Sequence, residues 1–156
     1  MSEFVFEVVI NTHSTGWADL VIEAGSHRAK VLCSYVFDSL GEIIRGLAQL
    51  AAQEGKFEVE CDSENQGIFL LIFRRTGEKF HLTAKRSIAG FDKEEARHQR
   101  ARIRFQGPWL ISVQIIVTAF DHILEKYGLD GYKDRWGHEF PKVAWDQLKT
   151  MMPEHE

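Results

Sequence analysis

Two short runs in this chain alternate strictly between apolar and polar residues. In Lys56-Phe57-Glu58-Val59-Glu60-Cys61-Asp62, the apolar side chains Phe57, Val59 and Cys61 fall on one side and only polar groups on the other. Arg100-Ala101-Arg102-Ile103-Arg104-Phe105 repeats the pattern with arginines outside. Successive side chains of a β-strand point to opposite faces, so a period of two describes a strand with one dry and one wet side. One-sided wetting belongs to antiparallel sheets, which cover one face with other elements and leave the other to solvent.

The same reasoning carries along the chain. Phe4–Ile10 is β-prone, Asn11–Gly16 is a turn cluster, and Trp17–Ala24 follows as a strand with Ala18, Leu20 and Ile22 on one face. Arg28–Cys33 completes a meander, with Ala29, Val31 and Cys33 inside. The period then changes. Phe37, Leu40, Ile44, Leu47 and Ala51 recur at three and four residues, widened by Ile43 and Leu50, which predicts a helix over 39–53. Ser39 and Glu42 fit a capping box at its start, and Gly55 suits its end.

Strands are expected at Lys56–Asp62, Ile68–Arg74, Lys79–Lys85 and Arg100–Gln106, with a turn at Ser63–Gly67. Ile68–Arg74 is apolar on both faces and reads as the most buried strand. Residues 87–98 are charged and read as irregular or exposed. Pro108 opens a long helix with a broad stripe from Trp109 to Tyr127, which Gly128 ends. Residues 129–140 read as a connector. Pro141 begins a short helix whose apolar side is Val143, Ala144, Leu148, Met151 and Met152.

These elements predict an α+β fold. A single, mostly antiparallel sheet of six or seven strands carries the two longer helices on one face, and a short C-terminal helix packs at an edge. The 156 residues fit one globular domain, 1–156. Such a domain buries roughly 68–70% of the surface of its unfolded chain and needs no staples.

Charge and cysteine usage narrow the function classes. The net charge of −4 excludes a globally basic nucleic-acid binder. The distribution is uneven: residues 74–104 hold ten Lys/Arg against four Asp/Glu, and the remainder is acidic. Cys33 and Cys61 sit at inward strand positions and read as reduced core thiols, a disulfide or a thiol nucleophile being the alternatives. No run of about 18 apolar residues predicts a membrane helix. The N-terminus lacks the basic and apolar regions of a secretory signal, so the expected location is cytoplasmic.

Three constellations have chemistry in reach. His122 and Glu125 lie one helical turn apart beside Asp121, and with His138 they make a weak metal-binding candidate; the alternative is a polar helix face. Arg100, Arg102 and Arg104 would stand in a row about 6.6–6.8 Å apart on one strand face. That row suits phosphates or nucleic acid, or else pairing with Glu58 and Glu60 on a neighbouring strand. Trp17, beside Gly16 in a polar turn, is either an exposed partner anchor or a ring folded over the sheet edge. The sequence contains no nucleophile elbow and no phosphate-cradling glycine loop.

The run Ser34-Tyr35-Val36-Phe37-Asp38-Ser39-Leu40-Gly41-Glu42-Ile43-Ile44-Arg45-Gly46-Leu47 resembles a segment of a group of small, uncharacterised bacterial proteins. In that group a strand ending in Ser-Tyr leads to an Asp-x-Leu-Gly helix. Phe73-Arg74-Arg75 and the tail Tyr127-Gly128, Tyr132, Trp136, Phe140 and Pro141 match it in order. The resemblance implies a compact α+β fold and carries over no catalytic residue. Size and acidic balance are similar to those of immunity proteins, which neutralise partner toxins. The expected function is therefore a non-catalytic protein-binding domain without cofactor or metal. Its partner would be a protein; the alternatives are nucleic-acid or phosphate-ligand binding through Arg100, Arg102 and Arg104, and a metal-dependent enzyme using His122, Glu125 and His138.

Overall fold

The structure, a computed structural model, describes residues 3–11, 14–63, 67–87 and 93–152. The first three strands form where alternation places them: β1 (Phe4–Ile10), β2 (Trp17–Ala24) and β3 (His27–Ser34). They pair antiparallel in the order β1-β2-β3, with Phe6 opposite Ile22 and Leu20 opposite Val31. Phe4, Phe6, Leu20, Ile22, Val31 and Cys33 all fall on the buried face.

The next element, α1 (Ser39–Ala52), buries Leu40, Ile43, Ile44, Leu47 and Leu50, the stripe that the three-and-four spacing marks. Its start differs from the expected capping box. Asp38 is the N-cap, and its Oδ1 accepts from the Gly41 N–H at 3.1 Å. Ser39 is fully buried and donates its hydroxyl to the Glu60 carbonyl at 2.5 Å instead. Gly46 leaves room on α1 for the Phe57 ring, which a Cβ there would strike. Gly55 does not cap the helix; it opens β4.

β4 (Gly55–Asp62), β5 (Ile68–Thr76), β6 (Lys79–Ser87) and β7 (Ile103–Pro108) form a second antiparallel sheet in that order. The expected single sheet is thus two, of three and four strands. A two-residue period reveals which face is dry but not which strand is the neighbour, so it fits either arrangement. Where β3 approaches β4, side chains bond to backbone in place of a ladder: Ser63 Oγ donates to the Leu32 carbonyl at 2.6 Å. The two dry faces share one core. Phe4 stacks on Phe105 with ring centroids 4.3 Å apart and lies 5.8 Å from Phe80.

The segment expected to be irregular extends β6 to Ser87 and forms a short helix, α2 (Lys93–Arg97), beside β5 and β6; residues 88–92 lie outside the described residues. The parts of the expected turns at residues 12–13 and 64–66 also lie outside them. The long helix α3 spans Trp109–Trp136 and breaks at Gly128, where φ is 70° and ψ 179°. Only glycine adopts that geometry without strain. The glycine therefore interrupts the helix as read, but helix resumes beyond it and absorbs the expected connector through Trp136. In α4 (Lys142–Thr150) the buried side chains are Trp145 and Leu148, followed by Met152. Val143 and Met151, expected on the apolar side, are exposed.

Candidate functional site

The residues singled out in the sequence do not converge. β7 begins at Ile103, so only Arg104 of the arginine row lies in the ladder; Arg102 precedes it, its N–H donating to the Ala84 carbonyl at 2.8 Å. Arg100 lies further back, before the strand. All three are exposed. Arg97, from the segment read as irregular, is the arginine that meets Glu58, in a fork with N–O distances of 2.6 and 3.0 Å. Two parallel charge-assisted bonds fix α2 to the outer face of the second sheet.

His122 and Glu125 are exposed on α3, and Asp121 pairs with Lys149 of α4 at 3.0 Å. His138 lies beyond the end of α3, with Nε2 2.6 Å from the Tyr35 carbonyl. Among the described residues no group of three His, Cys, Asp or Glu side chains is placed to hold a metal ion. Trp17 opens β2, half-buried, on the solvent side of the sheet with Asp19 and Glu23.

Asp38 organises a region that spacing alone did not mark. Besides capping α1, its Oδ1 accepts from the Trp136 indole at 2.8 Å, and its Oδ2 from Arg45 at 3.0 Å. One carboxylate thereby joins the start of α1 to the end of α3. Tyr132 and Trp136 are fully buried beside it. Burial, reinforced by Asp38, pushes the Tyr132 phenol far above its usual range, and its hydroxyl has no hydrogen-bond partner. The Ser-Tyr…Asp-x-Leu-Gly run and the Tyr…Trp tail therefore meet in space as a packing unit.

Cys33 and Cys61 are free and buried, as expected of core thiols. Their mutual hydrogen bond, then burial, raises the Cys33 thiol well above the ordinary value. A thiol so held stays protonated and is a poor nucleophile.

Two surface concavities are more suggestive. The smaller, about 420 Å³, lies on the outer face of the second sheet and includes Lys56, Arg74, His81 and Arg104. Register places Lys56 opposite Arg74, and Arg74 opposite His81. Burial, then Arg74 and Lys79, lowers the His81 pKa below the ordinary 6.5.

The larger is a groove of about 770 Å³ between β1 and the first half of α3. Consecutive residues Phe4–Val9 line one wall, so the wall is the edge of the strand rather than one of its faces. The opposite wall is a helical stripe containing Leu110, Ile111, Ile115 and Ala119. Val9, Leu110 and Ile111 are 55%, 42% and 64% exposed, an unusual concentration of bared aliphatic side chains.

The backbone at this edge is open. Gly25 donates to the Glu3 carbonyl and Asn11 to the Trp17 carbonyl. These bonds fix the ladder phase: odd-numbered β1 residues bond to β2, and Phe4, Phe6, Val8 and Ile10 aim their N–H and C=O groups away from it. Among the described residues nothing hydrogen-bonds to those groups.

No known protein family matches the chain, and neither does any curated protein. Among solved structures it is similar to a chain of the CdiA-CT/CdiI toxin and immunity complex from Enterobacter cloacae, with a TM-score of 0.42 and 10% identity. The match covers 78% of this chain and 99% of that one. Among the described residues no helix is long and apolar enough to cross a membrane.

Proposed function

We propose that this chain is a non-catalytic protein-binding domain of the immunity kind, which occupies a partner protein and neutralises it. The observation that carries the reading is the β1–α3 groove. It combines bared aliphatic side chains with an open sheet edge, the two features that recruit another polypeptide. The acidic balance outside residues 74–104 suits a basic partner, because complementary charge speeds association. The partner-binding roles read for Trp17 and the arginines belong to the same proposal, as does a cytoplasmic location. The test is capture from native extract at low and moderate salt, followed by reconstitution with the purified captured protein. A stoichiometric complex is expected on gel filtration; recovery of no protein partner at either salt overturns the reading.

A second reading, binding of phosphate groups or nucleic acid, is favoured by the like-charged row of Lys56 and Arg74 with Arg104 nearby. It predicts oligonucleotide binding at about 50 mM salt that weakens steeply as salt rises.

A further inference from the structure

The exposed charges around the groove specify what sits in it. On the solvent face of the first sheet, β2 and β3 exchange opposite charges: Asp19 lies 3.7 Å from Lys30, and Glu23 3.7 Å from Arg28. Opposite charges on neighbouring strands stabilise a sheet, and like charges directly opposite destabilise it. β1 breaks the alternation. Its solvent-side acid Glu7, and Glu3 just before the strand, lie beside another acid-bearing strand, and among the described residues neither makes an ion pair. The next strand outward is the one that would complete the pattern, and that place is the groove.

We propose that the open edge of β1 takes up an extended segment of the partner protein as a fourth strand of the first sheet. The segment bears apolar side chains at alternate positions and lysine or arginine opposite Glu7. This rests on the partner-binding reading and supplies its chemistry. Main-chain bonds to Phe4, Phe6 and Val8 would give affinity, and side chains would give choice of partner. The apolar positions share the face of Phe4, Phe6 and Val8, where the aliphatic stripe of α3 receives them. The basic positions face solvent beside the glutamates. A second copy of this chain is the wrong occupant: it would bring another acid-bearing strand, and a second α3, to the same seam.

The ladder phase makes the test sharp. The Val8 N–H points outward, so Val8→Pro removes a donor only the added strand uses; proline is tolerated at such edge positions. Val9→Pro instead strikes the bond to β2. The probe is a synthetic nonapeptide of alternating lysine and valine, titrated against the full chain by fluorescence anisotropy. We expect saturable binding, about tenfold weaker for the glutamate-for-lysine peptide, with that preference reversed in Glu7→Lys. Val8→Pro abolishes binding with an unchanged circular dichroism spectrum. Glu7→Lys keeps the test alive should Val8→Pro fail to fold. Absence of saturable binding, or binding indifferent to Glu7→Lys, overturns the proposal. So does dimerisation of the free chain that Val8→Pro reverses. A natural partner that binds Val8→Pro and wild type equally removes the edge as the site while leaving the partner-binding reading standing.

Discussion

The two halves of α3 make opposite use of one helix. Beyond Gly128, the helix buries Tyr132 and Trp136, and Trp136 donates to an aspartate that also caps α1. Before Gly128, the same helix holds Leu110 and Ile111 in solvent alongside a strand edge with unspent hydrogen-bonding groups. The first arrangement is buried within the chain and bonded to Asp38, the Tyr132 hydroxyl alone lacking a partner among these groups. The second is complete only with something added. Open backbone groups beside bared aliphatic side chains mark the part of the surface left for another molecule.

The contrast is strongest at Asp38. Asp38→Ala removes a helix cap and strands the Trp136 indole, so a loss of about 3 kcal/mol is expected from urea denaturation. A loss below about 0.5 kcal/mol, the size of an ordinary surface change, would erase the distinction between the two halves. Tyr132 sharpens it from the other side. Its buried hydroxyl lacks a partner, so Tyr132→Phe should leave stability unchanged or raise it by up to about 1 kcal/mol. A marked loss in the same denaturation experiment would reveal a hydrogen bond absent from this account.

In the groove the expectation reverses. Leu110→Ser with Ile111→Ser exchanges bared aliphatic groups for hydroxyls, and stability should move by no more than about 0.5 kcal/mol. Calorimetry that finds a large drop would place these side chains in the core instead. The smallest effect concerns His81. Its folded pKa lies below 6.5, so on acidification the unfolded chain takes up a proton that the folded chain refuses. Its stabilising contribution is whole above about pH 6.5 and declines below it. His81→Gln should flatten the fall in melting temperature between about pH 7 and pH 5. An unchanged profile would assign that fall to other groups.

Much of the fold can be read from spacing. β1, β2, the α1 stripe and the helix break at Gly128 fall where local period and glycine chemistry put them. What escapes are choices between partners distant in sequence. Ser39 and Asp38 are both credible caps, and only the approach of Glu60 and Trp136 decides between them. Helix beyond Gly128 is held by Asp38, far away along the chain, while Gly128 and Gly131 locally suggest a connector. Trp145 is the buried anchor of α4, whereas helical spacing favours Val143, which faces solvent. The groove was the least legible. Alternation identifies Phe4–Ile10 as a strand, yet its being an edge depends on strand order, which no local pattern encodes. Two signals were present: Val8-Val9-Ile10 breaks the alternation, and Leu110 with Ile111 lies outside the core stripe of α3.

The central claim is tested most directly by residue-resolved amide exchange along β1, in the free chain and in complex with the captured partner. In the free chain, Val5, Glu7 and Val9 should exchange slowly and Phe6 and Val8 fast. In the complex, Phe6 and Val8 should become protected as well. Slow exchange at Phe6 and Val8 before any partner is added, or fast exchange there in the saturated complex, would contradict the account.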